Sequence, residues 1–485
     1  MTQSGFELPI SIPPRRSRER LRALHRQLRT AIVEGRLQPG LRLPPTRMLA
    51  AEYGVSRNTA VAAYDLLLSE GYLTSRRGAG TYVADVLPKP PARRTAPAAK
   101  SGADRRLNAL WLQPAMPFDA ERVATRFHFN VGVPDISRFP VDVWRRLSAR
   151  ALRGLPKVSA DYDSPHGRPA LRAAIARHVS FARAVACDPD DVTVTAGAQQ
   201  AFDLLARILV VPKRTVVALE NPGYPPLRAA FAAAGARIAA VPVDDQGLIV
   251  ERLPAQAKIV CVTPSHQFPL GAVMSASRRA ALLEFAQRQG AVVIEDDYDA
   301  EFRFSDRPLD ALQTLDRSES VFYVGTFSKS LFPSLRLGFV VAPPWAHVAL
   351  GAAKQAADGH CALLSQETLA AFIADGHLAR HVRRMREVYA ARRRVLLDGL
   401  HKGFSEWLRP VPAAVGLHLT ALAQRPLDIE ALVERARKRD VGISSLRRFE
   451  LGTGGKNPQG LAFGYGALDE RGIAEGLARL RKLVQ

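Results

Sequence analysis

Cysteine is scarce in this chain of 485 residues, with only Cys187, Cys261 and Cys361. Three widely separated thiols build neither a disulfide framework nor a metal-ligand spacing, so a reducing compartment is the default. Acidic residues are also in deficit: 46 Asp and Glu face 68 Lys and Arg, for a formal net charge of +22. That balance implies attraction to polyanions, nucleic acid above all, but carries no sequence information. Long apolar runs are missing. No stretch reaches membrane length, and Arg15 and Arg16 are not followed by an apolar segment of the kind that targets a chain for export. There is no internal repeat and no RNA-recognition motif. Thr453-Gly-Gly-Lys456 lacks the upstream strand, the glycine spacing and the following hydroxyl of a phosphate loop, and reads as a surface loop. At 47% hydrophobic residues, the chain can bury several cores, which suits a small module joined to a large α/β domain.

The richest stretch is Gly325-Thr-Phe-Ser-Lys329-Ser-Leu-Phe-Pro-Ser-Leu-Arg336-Leu-Gly338, which follows a short apolar strand, Val321 to Val324. Alone, Lys329 would read as a solvated loop lysine. A lysine at the end of a buried strand is costly unless it is paired or covalently used. With Thr326, Ser328 and Arg336 nearby, the economical reading is an imine-forming lysine beside a phosphate clamp, which suits pyridoxal 5′-phosphate (PLP).

Three upstream segments support this. Ala291 to Ile294 reads as a buried parallel strand ending in Glu295-Asp296-Asp297-Tyr298-Asp299, and ligands bind at such carboxyl ends. A carboxylate there can keep a pyridine nitrogen protonated. Val192 to Thr195 leads through Ala196-Gly197-Ala198-Gln199 into a helical pattern, a ready phosphate site because free backbone N–H groups point at the anion. Tyr224, in Glu220-Asn-Pro-Gly-Tyr224-Pro, follows another strand and can stack on a flat ring.

By these residues the chain from about Phe127 to Gln485 resembles the fold-type I PLP enzymes, the aspartate aminotransferase superfamily. The resemblance implies that Lys329 is the Schiff-base lysine and Asp296 the partner of the ring nitrogen. It implies that Tyr298 bonds the ring 3-hydroxyl and Tyr224 stacks on the ring, while Ala198, Gln199, Thr326, Ser328 and Arg336 form the phosphate cup. Tyr162, in Asp161-Tyr-Asp-Ser-Pro-His-Gly167, resembles the tyrosine that reaches the phosphate of a neighbouring subunit. A homodimer is therefore expected.

The N-terminal region is different. Between residues 1 and 85 stand thirteen arginines, no lysine and seven acids. Leu21, Leu24, Leu28 and Ile32 recur at helical spacing, and Gly35 to Gly40 ends that helix. Pro44-Pro-Thr46 restarts one, with Thr46 as cap and Met48, Leu49 and Tyr53 as its apolar face. After the Gly54-Val55 turn, Ser56 caps a third helix whose expected buried face is Val61, Tyr64, Leu67 and Leu68. That order is a helix-turn-helix, with Arg57, Asn58 and Thr59 where recognition helices meet base edges. Leu73 to Val83 reads as a hairpin tipped by Arg76-Arg77-Gly78-Ala79-Gly80, a basic wing.

Leu43-Pro-Pro-Thr-Arg47, Gly54-Val-Ser56-Arg57-Asn58-Thr59, Glu70-Gly-Tyr72 and Gly78-Ala-Gly80-Thr-Tyr-Val83 resemble the GntR-type winged helix. The resemblance implies that Arg47, Ser56, Arg57, Asn58 and Thr59 touch DNA and that Arg77 and Gly78 reach the minor groove. A winged helix ahead of an aminotransferase-like domain is the mark of the MocR subfamily of bacterial regulators, which Thr263-Pro-Ser-His266-Gln267-Phe268-Pro-Leu-Gly271 also resembles. The expected plan is a winged helix over 15–84, a Pro/Ala/Arg-rich linker over 85–125 and an α/β PLP-binding domain over 126–485. The latter combines a mostly parallel sheet with a smaller C-terminal α+β part.

Two functions follow. One is a cytoplasmic, nucleoid-associated regulator binding double-stranded DNA at paired half-sites and sensing PLP or a small amine. The other is an active aminotransferase with a DNA-binding appendage. An α-amino-acid aminotransferase also needs a cation for the substrate carboxylate. Gly460 stands where that family has arginine, and Phe268 replaces the asparagine before its Pro-x-Gly. Arg447 and Arg448 are the candidate substitutes. No metal is expected, and these departures favour the regulator.

Overall fold

A computed structural model describes residues 8–14, 19–76, 78–85, 125–157, 161–304, 310–452 and 459–484. The chain divides into two compact units, Met1–Arg106 and Leu107–Gln485. The expected linker (86–124), Arg77 and the Thr453–Lys456 loop lie outside the described residues.

In the first unit, α1 (Arg20–Val33) buries Leu24, Leu28 and Ile32 at the expected spacing. The two prolines before α2 (Thr46–Glu52) hold the entering chain extended. Pro45 occupies the cap position without a side-chain bond, so Thr46 is the first helical residue and not the cap. Met48 is exposed, and Leu49 carries the buried face. Gly54, at φ +60°, turns the chain, and Ser56 Oγ accepts from the Thr59 amide at 3.1 Å to cap α3 (Arg57–Ser69). The buried face of α3 is Ala60, Ala63, Tyr64 and Leu67. Val61 and Leu68 were expected there. Tyr64 and Leu67 are buried as expected, Ala60 and Ala63 complete the face, Val61 is exposed, and Leu68 is half-buried against the same core. Strands β1 (Leu73–Arg76) and β2 (Gly80–Val83) pair antiparallel from Leu73↔Val83 to Arg76↔Gly80, forming the wing.

The second unit opens on β3 (Phe127–His128), α4 (Val141–Gly154) and α5 (Pro169–Arg183). Eight strands make its main sheet. They are β4 (Val192–Thr195), β5 (Val216–Asn221), β6 (Arg237–Asp244), β7 (Gly247–Leu248), β8 (Ala257–Val262), β9 (Val292–Asp297), β10 (Val321–Thr326) and β11 (Gly338–Val341). Their order is β4-β11-β10-β9-β8-β5-β6-β7. Strands β10, β9, β8, β5 and β6 are mutually parallel. Strand β11 runs antiparallel to both β10 and β4, so β4 points the same way as β10. Strands β10 and β11 are buried along their whole length, and β5, β8 and β9 at all but one residue each, which explains their apolar runs. The carboxyl ends of β4, β5, β8, β9 and β10 therefore share one edge, where open α/β sheets bind ligands.

A smaller sheet joins β12 (Leu408–Pro410), β13 (His418–Ala423), β15 (Ser444–Ser445) and β16 (Gly460–Gly464), while β14 (Val441–Gly442) pairs with β3. Helices His377–Phe404 and Glu470–Val484 pack around these strands; Tyr389, Leu396, Phe463, Tyr465 and Leu477 sit in their shared core.

Candidate functional site

Alternation along β9 sends its three acids to different faces. Asp297 accepts from Arg183 Nε and Tyr323 Oη, both at 2.6 Å. Glu295 accepts the Leu312 and Gln313 amides at 2.9 and 3.0 Å. Asp296 faces the other way, is 4% exposed, and its Oδ1 has no hydrogen-bond partner. Burial, then the neighbouring Asp297 charge, pushes the Asp296 carboxyl well above its ordinary range, and Lys329 pulls it back. An unpartnered buried carboxylate oxygen is costly unless a ligand supplies the missing donor.

Lys329 follows β10, half-buried, and its Nζ donates to the Gly132 carbonyl at 2.7 Å. Gly132, at φ +70°, lies so close that a Cβ there would stand 2.9 Å from Nζ. Sequence reasoning missed Gly132. Its neighbourhood, Val131-Gly-Val-Pro134, carries no signal beyond a glycine near a proline.

The expected phosphate residues gather through strand register. Thr326 pairs with Gly338, and Gly338 with Thr195, so the loops after β10 and β4 lie on one row. Ser328 N donates to Thr326 Oγ1 at 3.2 Å, and Thr326 Oγ1 donates to Ser328 Oγ at 2.9 Å. Ala198 and Gln199 are the first two residues of α6 (Ala198–Leu209), whose opening amides have no partner within the helix. Gly197 before it, at φ +80°, leaves room for Arg336: the guanidinium lies 3.0 Å from where a Cβ would stand. Arg336 Nη2 donates to the Ala196 carbonyl at 2.6 Å. Guanidinium and helix N-terminus together suit a phosphate.

Tyr224 caps α7 (Pro225–Ala233) and meets Phe268 edge-on at 5.4 Å. Burial, chiefly, pushes its hydroxyl up to about 12. Tyr298 is buried; its hydroxyl lies 3.0 Å from both the His266 carbonyl and His266 Nδ1. His266 in turn contacts Asp299 and packs against the tilted His418 ring. Sequence reasoning did not bring these three together, since they come from segments up to 152 residues apart. Tyr162 stands apart, 89% exposed, with the His360 ring at 6.3 Å.

Gly460 is packed tight. A Cβ there would collide with the Ala421 carbonyl and stand 3.1 Å from both Leu422 Cα and Leu446 Cδ1, so no arginine fits at this position. Arg447 and Arg448 are exposed. Arg228, on α7, is a half-buried cation that sequence reasoning overlooked, and it donates to the Glu450 carbonyl at 3.2 Å.

These residues can hold a flat pyridine bearing a phosphate and an aldehyde. The orphaned Asp296 Oδ1 suits a protonated ring nitrogen, the α6 N-terminus with Arg336 suits the phosphate, and the Lys329 amine suits the aldehyde.

On the first unit, Arg47, Ser56, Arg57, Asn58 and Gly78 are exposed and Thr59 is half-buried. The Ser56 and Thr59 hydroxyls, 2.7 Å apart, are engaged with each other at the cap. Arg57 and Asn58 open the first turn of α3.

Such a sheet, with this lysine, carboxylate and arginine at one edge, is that of the aminotransferases. Residues 127–417 match the family described as aminotransferase class I and II, and residues 21–83 match the bacterial regulatory proteins of the gntR family. The chain belongs to the MocR subfamily of GntR-type regulators. It is 39% identical to the probable rhizopine catabolism regulatory protein MocR of Rhizobium meliloti, over 95% of this chain and 92% of that one. It is 33% identical to the pyridoxine biosynthesis transcriptional regulator PdxR of Corynebacterium glutamicum, over 99% of each. Among solved structures, the α-aminoadipate aminotransferase LysN of Thermus thermophilus, complexed with N-(5′-phosphopyridoxyl)-L-leucine, superposes with a TM-score of 0.67. That match has 30% identity and covers 74% of this chain and 92% of LysN.

Proposed function

We propose that this protein is a transcription regulator whose winged helix binds DNA and whose aminotransferase-like domain binds PLP through Lys329 and answers to PLP or a small amine. The observation that carries the reading is the buried, unpartnered Asp296 Oδ1 facing the Lys329 side of the sheet edge, in a chain that also holds a winged helix. PLP supplies an electrophilic carbonyl and an electron sink. The chain's residues do the rest. Lys329 offers the amine, Asp296 holds a proton at the ring nitrogen, and Tyr298 donates toward the ring oxygen. Tyr224 covers one ring face, and the α6 amides of Ala198 and Gln199, with Thr326, Ser328 and Arg336, neutralise the phosphate.

The working plan is a DNA-binding module over 15–84, a linker over 85–125 and a sensor over 126–485. We place the protein in the cytoplasm; among the described residues no helix is long and apolar enough to cross a membrane. A homodimer, with the exposed Tyr162 reaching the partner's phosphate, would pair two winged helices on two half-sites. The crowding at Gly460 removes the usual carboxylate receptor, which supports sensing over α-amino-acid turnover. The name of the pyridoxine biosynthesis regulator among the relatives supports PLP itself as effector.

A sensor needs a ligand that favours one of two arrangements, since equal affinity for both shifts nothing. PLP is expected to change operator affinity by about 1–3 kcal/mol, five- to 150-fold. Operator titrations with and without PLP and candidate amines check this. Brisk transamination of common amino acids, with DNA binding indifferent to every ligand, would instead establish the enzyme. Asp296→Ala is expected to weaken PLP retention and shift its visible spectrum, because the ring nitrogen loses a charge-assisted partner. Equilibrium dialysis and absorbance read both effects.

A further inference from the structure

The Tyr298 hydroxyl donates to the His266 carbonyl at 3.0 Å and lies 3.0 Å from His266 Nδ1. That nitrogen also lies 3.1 and 3.2 Å from the two Asp299 oxygens, and Asp299 Oδ2 accepts the Leu417 amide at 3.2 Å. An ionised carboxylate only accepts, so the network assigns a proton to Nδ1. This N–H points between Asp299 and the phenol oxygen.

The imidazole has no freedom to leave. It stacks on the Tyr298 ring at 5.8 Å and 25°, and the His418 ring lies against it at 4.6 Å, tilted by 40°. Its open side is closed by Gly416, where a Cβ would collide with both the ring and the Asp299 carboxylate. His266 is 2% exposed and Asp299 1%. His418 Nε2 is spent on the Pro269 carbonyl at 3.1 Å.

We propose that His266, held by Asp299, is a positioning residue that fixes the Tyr298 phenol oxygen, so that the phenol proton, given to the His266 carbonyl in this structure, turns to the 3-oxygen of the bound pyridine ring. This rests on the assignment of PLP to Lys329. An N–H donated to a phenol oxygen polarises the phenol's own O–H and makes it a stronger donor. The groups facing Tyr298 are Asp299, Asp296, Glu220 and Asp297, with Lys329 beside Asp296 and a neutral His418 behind His266. Burial first, and then this negative surround, keeps the phenol protonated, so Tyr298 acts as a donor at every working pH. A donor favours the anionic form of the oxygen it meets. Weakening it should therefore make the ring oxygen hold a proton more readily.

The test is the pH midpoint of the visible absorption change of the PLP-loaded full-length protein. His266→Leu should raise the midpoint by about one pH unit, a tenfold change in proton affinity. Tyr298→Phe should raise it at least as far, and the double variant no further than Tyr298→Phe alone. His266→Asn, which returns an N–H near Nδ1, should bring the midpoint most of the way back to the wild-type value, and His266→Met, which also lacks the N–H and should raise the midpoint, stands in if His266→Leu fails to fold. A residue that only filled space would change the melting temperature and leave the midpoint alone. An unmoved midpoint in His266→Leu, or full additivity with Tyr298→Phe, would overturn the proposal. His266, Asp299 and His418 each place a ligand atom within 4.8 Å of the others. One equivalent of metal in the wild-type protein, lost in His418→Ala, would overturn it as well, since Nδ1 would then be a ligand and not a donor. If the wild-type protein shows no borohydride-fixable PLP adduct at Lys329, the cofactor assignment falls and this proposal with it; a normal adduct with an unmoved midpoint sinks this proposal alone.

Discussion

Lys329→Ala is expected to abolish the covalent PLP adduct that borohydride fixes in the wild-type protein, while leaving the fold and DNA binding largely intact. The amine sits at the carboxyl end of β10, 2.7 Å from the Gly132 carbonyl and on the side toward which Asp296 points. Other cations stand at this edge. Arg336 is committed to the Ala196 carbonyl and Arg228 to the Glu450 carbonyl, and a guanidinium does not form such a bond because it stays protonated. Phosphate contacts at the α6 N-terminus and Arg336 should survive, so the variant should still bind PLP weakly and reversibly. Mass spectrometry after reduction reads the adduct, dialysis reads the residual affinity, and thermal melting reads the fold. An undiminished adduct in the variant would remove Lys329 from its role.

Much of this architecture was legible because it rests on patterns that burial enforces. Strands covered on both faces must be apolar along their length, so β9 and β10 announced themselves, and the acids at the end of β9 marked the ligand edge. The first helix was equally plain, since Leu24, Leu28 and Ile32 repeat at the helical period. Alanine defeated the reading of α3. Ala60 and Ala63 weigh little in an apolar pattern, yet both are fully buried, and Val61 is exposed.

The site divides the same way. Lys329, Asp296 and Arg336 each end or follow a recognisable strand. The Tyr298–His266–Asp299 contact forms only when the loop after β8 meets the end of β9 with β13 behind them, and the spacing of no single segment encodes it. The same holds for Gly460. Its sequence shows that arginine is missing, but only the neighbouring Ala421 carbonyl shows that arginine would not fit.

Arg57→Ala should cost about 1–3 kcal/mol in operator binding and, more tellingly, blur discrimination between the operator and a mutated site. Arg57 is the first residue of α3, exposed, directly after the Ser56 cap. The cap matters here, because Ser56 Oγ and the Thr59 amide fix the first helical turn and so the direction in which Arg57 leaves it. Two effects of the substitution must be separated. Removing one positive charge weakens binding to any sequence and flattens the salt dependence by about one counterion. Removing a base contact also collapses the ratio between specific and non-specific affinity, which salt alone does not mimic. A segment with thirteen arginines against seven acids tolerates the loss of one charge, so the change in that ratio is the diagnostic quantity. Arg77→Ala, at the wing tip expected from the sequence, is the contrasting variant: it should weaken operator and mutated site evenly, with a shallower salt slope and a preserved ratio. Binding isotherms for both sequences at two salt concentrations distinguish the cases. If Arg57→Ala keeps the wild-type ratio, the amino end of α3 does not read base edges.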